Sequence, residues 1–394
     1  SDAQKIYDLV QRHFVSSPAP EVSVGSPLER TPRTVPDGLH AATATIENLA
    51  IFPLKSCAAQ LVDGWPIGPH GLLFDREWAV VDAKGVALSQ KTLPSLTKIR
   101  PHVSLARGTL TLSAAGAPTL VLPLEDREDG PAQCDTQQLR VCGTKSDGHL
   151  YNDDVSQWLE DVLGRRLFLA RHDPGGPNTR TGRHKIADDT EIGFANDGAI
   201  LCLASSTVTD LNLRLANSDV PPVPVSRFRP NIVIGNAPPL GEDDIRMVGL
   251  GGSEDEVLLP AVGPCGRCEM VNIDQETGQR GVEPLLSLSS YRRIKGRVHL
   301  GMLLGTNSGA VGTVLEKGQT ITVYTSEDWQ TRCTSPMAQF AVAEATESNA
   351  EQSQLGHDDA QQPELSQMRP GPRWVALGLV CALVVWRTLR PTKT

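Results

Sequence analysis

The stretch VGPCGRCEMVNID, residues 262–274, carries two closely spaced thiols, Cys265 and Cys268, with Arg267 between them. Glycine and proline surround the first thiol, and these residues are typical of turns rather than of helix interiors. The apolar residues that follow Cys268 predict a short strand. The sequence therefore predicts a tight loop at the mouth of a strand, where glycines let the backbone come close to a ligand.

The side chains of this loop combine three chemical properties. The guanidinium of Arg267 suits phosphate or another oxyanion. A thiolate beside a guanidinium has a lowered pKa, and the thiolate is the form that binds metal or attacks sulfur. We therefore expect a soft metal ligand, an anion clamp and a nucleophile within four residues of sequence, from Cys265 to Cys268.

Spacing alone leaves three interpretations of this Cys-x-x-Cys pair open. A structural zinc site normally needs four ligands, whereas a redox dithiol needs the pair at a strand-to-helix turn. The third interpretation is two half-buried cysteines on a hairpin. No second closely spaced pair supports zinc, because the remaining cysteines are scattered along the chain at Cys57, Cys134, Cys142, Cys202, Cys333 and Cys381.

Length and composition favour a β-rich protein with two domains. The chain has 394 residues, which is enough for two domains. Glycine and proline are abundant and aromatic residues are few, which suits short strands and turns. The net charge of −9 argues against a nucleic-acid partner, because a polyanion requires a basic surface. Scattered cysteines favour reduced thiols and a cytoplasmic location.

Residues 262–281, VGPCGRCEMVNIDQETGQRG, closely resemble the signature segment of the MOSC family, the C-terminal domain of molybdenum cofactor sulfurases. IFPLKSCAAQ at 51–60 and LLFDREWAVVD at 72–82 resemble the family's N-terminal β-barrel domain. RFRPNIVIG at 227–235 resembles its central cofactor-binding strand. The matches follow family order over residues 41–326. They are most similar to the C-terminal half of eukaryotic molybdenum cofactor sulfurase, and less so to the mitochondrial amidoxime-reducing component.

The resemblance implies an α+β, β-rich fold made of a MOSC N-terminal β-barrel-like domain and a MOSC β-barrel. We place these two domains at residues 41–165 and 166–326. Outside them, helical periodicity and low apolar content predict flanking segments. These are a helix at 1–15, a linker at 16–40, a disordered linker at 327–372 and a C-terminal apolar helix at 373–394.

The last of these segments has the composition of a membrane anchor. Its apolar run of about 13 residues lies between tryptophans and is flanked by arginines. As a helix it would rise about 20 Å, short of the roughly 30 Å hydrocarbon core of a bilayer. We therefore predict a shallow C-terminal anchor that holds a cytoplasmic-side protein at a membrane.

Local patterns also predict individual elements. Apolar spacing predicts a helix over 155–164 that ends at Gly164, and a second helix capped by Ser205 and Ser206. Short alternating runs on either side of residues 106–108 predict a hairpin.

Several positions are implied as cofactor contacts by the resemblance. Residues that match Lys55, Ser56 and Arg76 help to hold the cofactor in the amidoxime-reducing relatives. Asp197 and Gly198 stand where relatives carry small hydroxyl residues, and we include both as cofactor-binding candidates.

Arg229 and Asn231 lie two residues apart in a predicted strand, so they are expected to point to one face. The charged guanidinium of Arg229 suits the phosphate of a ligand, and the neutral amide of Asn231, which both donates and accepts hydrogen bonds, suits its pterin. The family match favours this interpretation over an arginine that simply pairs with a neighbouring carboxylate.

The signature loop supplies the remaining candidates. Gly266 and Arg267 are implied as cofactor contacts, and Cys268 matches the metal-coordinating cysteine of the relatives. Cys265 can relay sulfur by thiol exchange, so both cysteines are candidate catalytic residues. An anionic pterin phosphate with an oxo-metal needs cationic and amide contacts and a soft sulfur near the metal.

Three functions follow from the resemblance. The first is binding and sulfuration of the molybdenum cofactor, molybdopterin with molybdenum, for acceptor molybdoenzymes. There a desulfurase domain, which uses pyridoxal phosphate and is missing from this chain, would donate the sulfur. The second is a molybdenum-dependent reductase of N-hydroxylated compounds. The third is a non-catalytic cofactor-binding or carrier module. The sequence NIDQETGQR and the predicted N-terminal helix favour the first.

Overall fold

Seven strands close into a barrel in the computed structural model of the chain. Further strands extend this barrel or form three smaller sheets, and three α-helices are described. The structure describes residues 35–125, 136–174, 176, 178, 192–251, 256–307 and 309–329.

The described part of the chain is mostly strand, with three α-helices between the strands. The strands are β1 (His40–Ile51), β2 (Gln60–Val62), β3 (Gly64–Gly68), β4 (Gly71–Leu72), β5 (Trp78–Val81), β6 (Arg100–Ser104), β7 (Thr109–Ser113), β8 (Leu120–Pro123), β9 (Thr136–Val141), β10 (Thr144–Leu150), β11 (Phe168–His172), β12 (Ile200–Ala204), β13 (Ile232–Gly235), β14 (Ile245–Leu250), β15 (Val257–Arg267), β16 (Arg293–Ile294), β17 (Arg297–Leu304), β18 (Val314–Glu316) and β19 (Thr320–Thr325). The helices are α1 (Asp153–Leu163), α2 (Ser205–Ala216) and α3 (Leu285–Tyr291).

The barrel has the strand order β12-β13-β1-β19-β14-β15-β17, and it closes because β17 also pairs with β12. All of these pairs are antiparallel except β12–β13. A parallel pair needs a crossover connection, and α2 supplies it between β12 and β13. The β-rich fold class predicted from the sequence is confirmed for the described residues.

The first strand pairs with two strands from the second half of the chain. β1 lies between β13 and β19, although both of these strands come much later in the sequence. Its buried residues, such as Ile46, share one hydrophobic core with Ile321 of β19 and with Trp78 of β5. The domain boundary at residue 165 stays a prediction.

Three smaller sheets complete the described part. One has the order β5-β11-β10-β9, with α1 packed on β11. The others have the orders β18-β3-β4 and β6-β7-β8. The β6–β7 hairpin turns at the predicted place, and it pairs Ser104 with Thr109.

The segment around the two thiols differs from the prediction. β15 precedes Cys268, and the residues after it form a 3-10 helix, Glu269–Asn272, instead of a strand. Register shifts in the β15–β17 pair fall between Ala261 and Gly263 and between Pro264 and Gly266. These irregularities admit glycine and proline into a strand, because a bulge tolerates a residue that cannot donate to the ladder.

The predicted C-terminus of α1 is confirmed, whereas the predicted N-terminal cap of α2 is wrong. Gly164 follows the last residue of α1 and stops the helix, as the pattern predicted, in a left-handed conformation with φ of 73°. α2 is not capped by Ser205 and Ser206. Its N-cap is Ala204, which has no side-chain cap, and the Ser206 hydroxyl donates instead to the Ala237 carbonyl oxygen at 2.7 Å.

Some predictions lie outside the described residues. They concern the helix at 1–15, most of the linker at 16–40, nearly all of the segment at 327–372, and the C-terminal helix at 373–394. Among the described residues, no helix is both long enough and apolar enough to cross a membrane.

A buried carboxyl group lies beside the barrel. Glu242, in the 3-10 helix Gly241–Asp244, is completely buried, and the Thr207 hydroxyl donates to its Oε2 at 2.7 Å. Its Oε1 has no hydrogen-bond partner among the residues that the structure describes. Burial raises the pKa of Glu242 from its ordinary 4.5 to about 7.

Replacement of this carboxyl should change how stability depends on pH. The unfolded chain loses the Glu242 proton near the ordinary pKa, whereas the folded chain keeps it until about 7. Stability should therefore fall as pH rises through this window, by on the order of 3 kcal/mol at most. We predict that Glu242→Gln flattens this fall in urea unfolding between about pH 4 and about pH 8.

The exposed Glu316 provides a matched control, and Glu316→Gln should keep the wild-type slope. An unchanged slope in Glu242→Gln would contradict the assignment of this pH dependence to the buried carboxyl.

Candidate functional site

One pocket brings together all the candidate residues named from the sequence. They reach it from five chain segments: the turn after β1, the turn before β5, the residues before β12, the turn before β13 and the end of β15. These residues are Lys55, Ser56, Arg76, Asp197, Gly198, Arg229, Asn231, Cys265, Gly266, Arg267 and Cys268. The lining also includes Ala195, Asn196, Leu201, Arg227, Phe228, Met270, Val271 and Leu303.

Two guanidinium groups are held against one aromatic ring beside this pocket. The Arg76 guanidinium lies 4.3 Å from the centroid of the Phe52 ring, and the Arg229 guanidinium lies 4.2 Å from it. Both distances fall in the range of cation–π contacts. Phe52 is buried at the end of β1, so it provides a fixed surface for both cations. Phe52 was not predicted as a site residue, because its ring contacts an arginine 177 residues later in the chain, and such a contact leaves no local sequence signal.

Arg76 is oriented by hydrogen bonds from its guanidinium. Nη1 donates to the Asp75 carboxylate and to Asn231 Oδ1 at 2.9 Å, and Nη2 donates to the Arg229 carbonyl oxygen at 3.2 Å. The Asp75 carboxylate also accepts from the Phe52 backbone amide at 2.7 Å. Burial raises the pKa of Asp75, and Arg76 opposes this rise.

Arg229 is a buried cation without a carboxylate partner among the described residues. Its Nη1 donates to the Cys57 carbonyl oxygen at 2.6 Å and to Gln275 Oε1 at 3.1 Å, and both acceptors are neutral. Burial and the neighbouring charge of Arg76 lower the pKa of Arg229 to about 9. A bound anion would therefore relieve an electrostatic cost that the protein itself leaves in place.

Backbone conformation at the site is unusual. Ser56, Arg76 and Arg229 have φ values of 67°, 50° and 56°, in the left-handed region that side chains other than glycine seldom adopt. Such conformations are destabilising and occur most often at functional sites. Three of the nine described non-glycine residues with this conformation thus line the pocket.

Asn231 acts as a structural hub of the pocket. The strand after it begins only at Ile232, and Arg229 is left-handed, so the predicted strand alternation does not apply to this pair. The Asn231 amide is buried. Its Oδ1 accepts from the Leu201 backbone amide at 3.1 Å, and its Nδ2 donates to the Ala50 carbonyl oxygen at 3.1 Å.

Lys55 reaches the pocket from the turn after β1. Its ammonium group donates to the Phe194 carbonyl oxygen at 2.8 Å and to the Asn196 side-chain oxygen. The exposed thiol of Cys142 lies 2.9 Å from the same Asn196 oxygen. Neither Asn196 nor Cys142 was predicted from the sequence as a site residue, and neither carries a motif that could have identified it.

Two nitrogen atoms of the remaining arginines are buried without a partner among the described residues. Arg267 donates to the Leu300 and Phe228 carbonyl oxygens, at 2.9 and 3.0 Å, but its Nη2 makes no hydrogen bond. Arg227 pairs with Asp274 at 2.8 Å, but its Nε makes none. Buried donors are normally satisfied, so these two nitrogens are an unmet hydrogen-bonding demand next to the pocket.

The two thiols of the signature segment differ in environment. Cys268 is exposed, whereas Cys265 is half-buried in β15. Burial raises the pKa of Cys265, and the opposing charge of Arg267 is too weak to reverse this. The expectation of a lowered pKa is therefore wrong for Cys265, because loss of hydration outweighs the nearby guanidinium.

The two candidate glycines have different surroundings. A Cβ atom on Gly266 would meet no heavy atom within 4 Å, so the lining is open there. A Cβ atom on Gly198 would lie 3.0 Å from Leu303 Cβ, so glycine at this position permits close packing. Gly266 thus leaves space for a ligand, and Gly198 lets the neighbouring wall approach.

The lining therefore combines positive charge with an accessible thiol. Five cations contribute to it, and Asp197 is the one carboxylate among the described lining residues. No cluster of three or more His, Cys, Asp or Glu side chains suited to a metal ion occurs in the described part of the chain. The class of protein is thus a β-barrel protein with a basic, thiol-bearing pocket.

Comparison with known families agrees with this class. The MOSC N-terminal beta barrel domain matches residues 43–166, and the MOSC domain matches residues 189–324. The chain belongs to the MOSC family, and the resemblance found in the sequence is confirmed.

The similar curated proteins are longer than this chain. A molybdenum cofactor sulfurase from Danio rerio is 34% identical over 307 residues, which cover 75% of this chain and 36% of that protein. One from Oryza sativa subsp. japonica is 32% identical over 344 residues, which cover 81% of this chain and 40% of that protein. The chain thus spans two-fifths or less of the length of these relatives.

Among solved structures, the crystal structure of the YuaD protein from Bacillus subtilis is similar with a TM-score of 0.33 and 12% identity. The similarity covers 73% of this chain and 98% of that one. A score this low does not by itself establish a shared fold.

Anion binding at this pocket should stabilise the chain. Because Arg229 is buried without a carboxylate partner, inorganic pyrophosphate should raise the melting temperature by about 3–6 °C at saturating concentration. Arg229→Met should lose most of this rise. In Arg100→Met, which removes an exposed cation paired with Glu276, the rise should persist. Equal shifts in both variants, measured by calorimetry, would argue against anion binding at Arg229.

Thiol reactivity should follow exposure. At neutral pH, iodoacetamide should alkylate Cys268 at least about tenfold faster than Cys265, because burial disfavours the thiolate of Cys265. Peptide mass spectrometry measures each rate. Exposed Cys142 and buried Cys202 serve as fast and slow references. Faster alkylation of Cys265 would contradict the assignment.

Proposed function

We propose that this chain binds the molybdenum cofactor in the basic pocket and takes part in its sulfuration, with Cys268 as the sulfur-carrying thiol. The observation that carries the proposal is the exposed Cys268 thiol in one pocket with five cations. The names of the relatives support the same cofactor. The two family matches contain all the pocket segments, and the match to the relatives covers only part of their length.

The residues present fit an anionic pterin with a metal. The five cationic side chains of the lining can donate to phosphate or pterin oxygens. The open space at Gly266 leaves room for the ligand along the end of β15. A thiolate is a preferred ligand for a soft metal centre, and Cys268 is the most accessible thiol in the lining.

Each residue type has a distinct part in the proposal. Arg76, Arg229 and Lys55 hold the phosphate end by charge-assisted hydrogen bonds. Asn231 acts on the ligand through Arg76, because its Oδ1 accepts from that guanidinium. Ser56 and the remaining candidates shape the walls. When bound, the cofactor supplies a metal centre that can take up sulfur.

The sulfur step at the protein is an exchange between a thiolate and a persulfide. The Cys268 thiolate attacks the outer sulfur of a donor persulfide, the S–S bond of the donor breaks, and the donor leaves as a thiolate. Cys268 then carries the persulfide, and no external oxidant or reductant is consumed. Cys265 can accept the sulfur from Cys268 by the same exchange.

We assign the donor role to a desulfurase domain that uses pyridoxal phosphate. The relatives have more than half of their length outside the matched region, which leaves room for such a domain. Molybdoenzymes that require a sulfurated cofactor are the proposed acceptors.

The decisive variant is Cys268→Ser. It removes the accessible sulfur while keeping side-chain volume, so uptake of sulfur from a persulfide donor should fall by about a hundredfold or more. Cyanide release of cofactor sulfur as thiocyanate measures this uptake. Pterin content, read by fluorescence after oxidation, should change little, because the cations that hold the phosphate remain.

Cys142→Ser is the matched control, since it removes an exposed thiol that touches Asn196 but does not itself line the pocket, and the serine hydroxyl can still donate to Asn196. Full sulfur uptake by Cys268→Ser would refute the assignment. Tight pterin binding by the wild type without any sulfur uptake would favour a carrier module. Reduction of a hydroxylamine with a supplied electron donor would favour a reductase.

A further inference from the structure

A second groove begins one residue after the Cys268 thiol. We call it the Val282 groove, and its lining includes Glu269, Arg280, Val282, Leu286 and Arg293. Glu269 directly follows Cys268 in the chain and opens the 3-10 helix Glu269–Asn272. One end of the groove is therefore lined by the chain neighbour of the exposed Cys268, and no residue of the groove also lines the basic pocket.

Large apolar side chains are exposed in this groove. Val282 is 68% exposed and Leu286 is 61% exposed. Exposed apolar residues that lie side by side in a concave, polar-rimmed surface are typical of protein interaction sites. Leu286 belongs to α3, which is anchored in the core by the fully buried Leu288.

Hydrogen bonds hold the groove in place relative to the thiol. The Asn272 side chain accepts from the Leu285 backbone amide at 2.9 Å, which joins α3 to the segment that follows Cys268. The Asn272 carbonyl oxygen accepts from the Gly281 amide at 2.9 Å. A partner that docks in the groove would therefore meet Cys268 at a defined position.

The charges of the groove define the chemistry of a partner. Lys91, Arg280 and Arg293 line it, and none of them forms an ion pair with another described residue. Glu269 is the carboxylate among these lining residues. An apolar surface with surplus positive charge is complementary to an apolar segment flanked by carboxylates.

We propose that the Val282 groove docks the protein that donates persulfide sulfur to Cys268, through an apolar segment of the donor rimmed by acidic residues. The inference rests on the proposed function, because it requires Cys268 to receive sulfur. A protein-bound persulfide must reach this exposed thiol, and the adjoining groove supplies both the buried area and the charge that hold the donor in place.

The test compares a protein donor with a small-molecule donor. The protein donor is the molybdenum cofactor sulfurase of Danio rerio, supplied with pyridoxal phosphate and radiolabelled cysteine. The small donor is glutathione persulfide radiolabelled in its outer sulfur, which needs no docking surface. The measurement is the rate at which labelled sulfur appears on the full chain, with Cys268→Ser as the blank.

Leu286→Asp and Val282→Asp should each slow labelling by the protein donor by about tenfold or more, because a carboxylate placed at an apolar contact disrupts it. Both variants should keep the wild-type rate with glutathione persulfide. Leu61→Asp is the matched control, since Leu61 is 74% exposed and lies outside both the groove and the pocket. It should behave as wild type with either donor.

The outcomes separate the docking proposal from the proposed function. Wild-type rates for Leu286→Asp and Val282→Asp with the protein donor overturn the docking proposal. The docking proposal is also overturned if glutathione persulfide labels the wild type and the protein donor does not. A change of oligomeric state in Leu286→Asp would assign the groove to a second copy of this chain and also overturn it. Failure of the wild type to be labelled by either donor overturns the proposed function instead.

Discussion

The buried side-chain amide of Asn231 is the interaction on which the pocket depends. It bonds to Ala50 at the end of β1, to Leu201 in β12 and to the guanidinium of Arg76. The Ala50 and Arg76 partners lie more than 150 residues away in sequence. One amide thus fixes the Arg76 cation to the barrel wall. Its loss would leave buried polar groups unsatisfied, at about 1–3 kcal/mol each.

The cation cluster that Asn231 supports is unfavourable for the chain without an anion. Arg76 and Arg229 lie on one aromatic ring, both with left-handed backbone, and their charges oppose each other. The chain can fold despite the repulsion between these arginines because burial of the large shared core stabilises the folded state. A site that stores charge and strain in this way is prearranged for an anionic ligand, and little rearrangement has to accompany binding.

Much of the fold and the choice of site residues could be predicted from sequence patterns, but local geometry could not. The helix that ends at Gly164 has a local signal, and it was correct. The strand expected after Cys268 was wrong, because β15 is specified by pairing with β14 and β17, and bulges admit its glycine and proline. The pKa of Cys265 was expected in the wrong direction, because burial cannot be read from a neighbouring Arg267.

By itself, the sequence determined the family, the β-rich class and eleven of the residues that line the pocket, because motif residues and apolar alternation are local properties of the chain. Only the tertiary structure decided how these residues act. Contacts between distant segments turn Asn231 into a hub, place Phe52 beside two arginines and leave Cys268 exposed while Cys265 is half-buried. Desolvation and long-range packing set these differences, and neither is encoded in spacing along the chain.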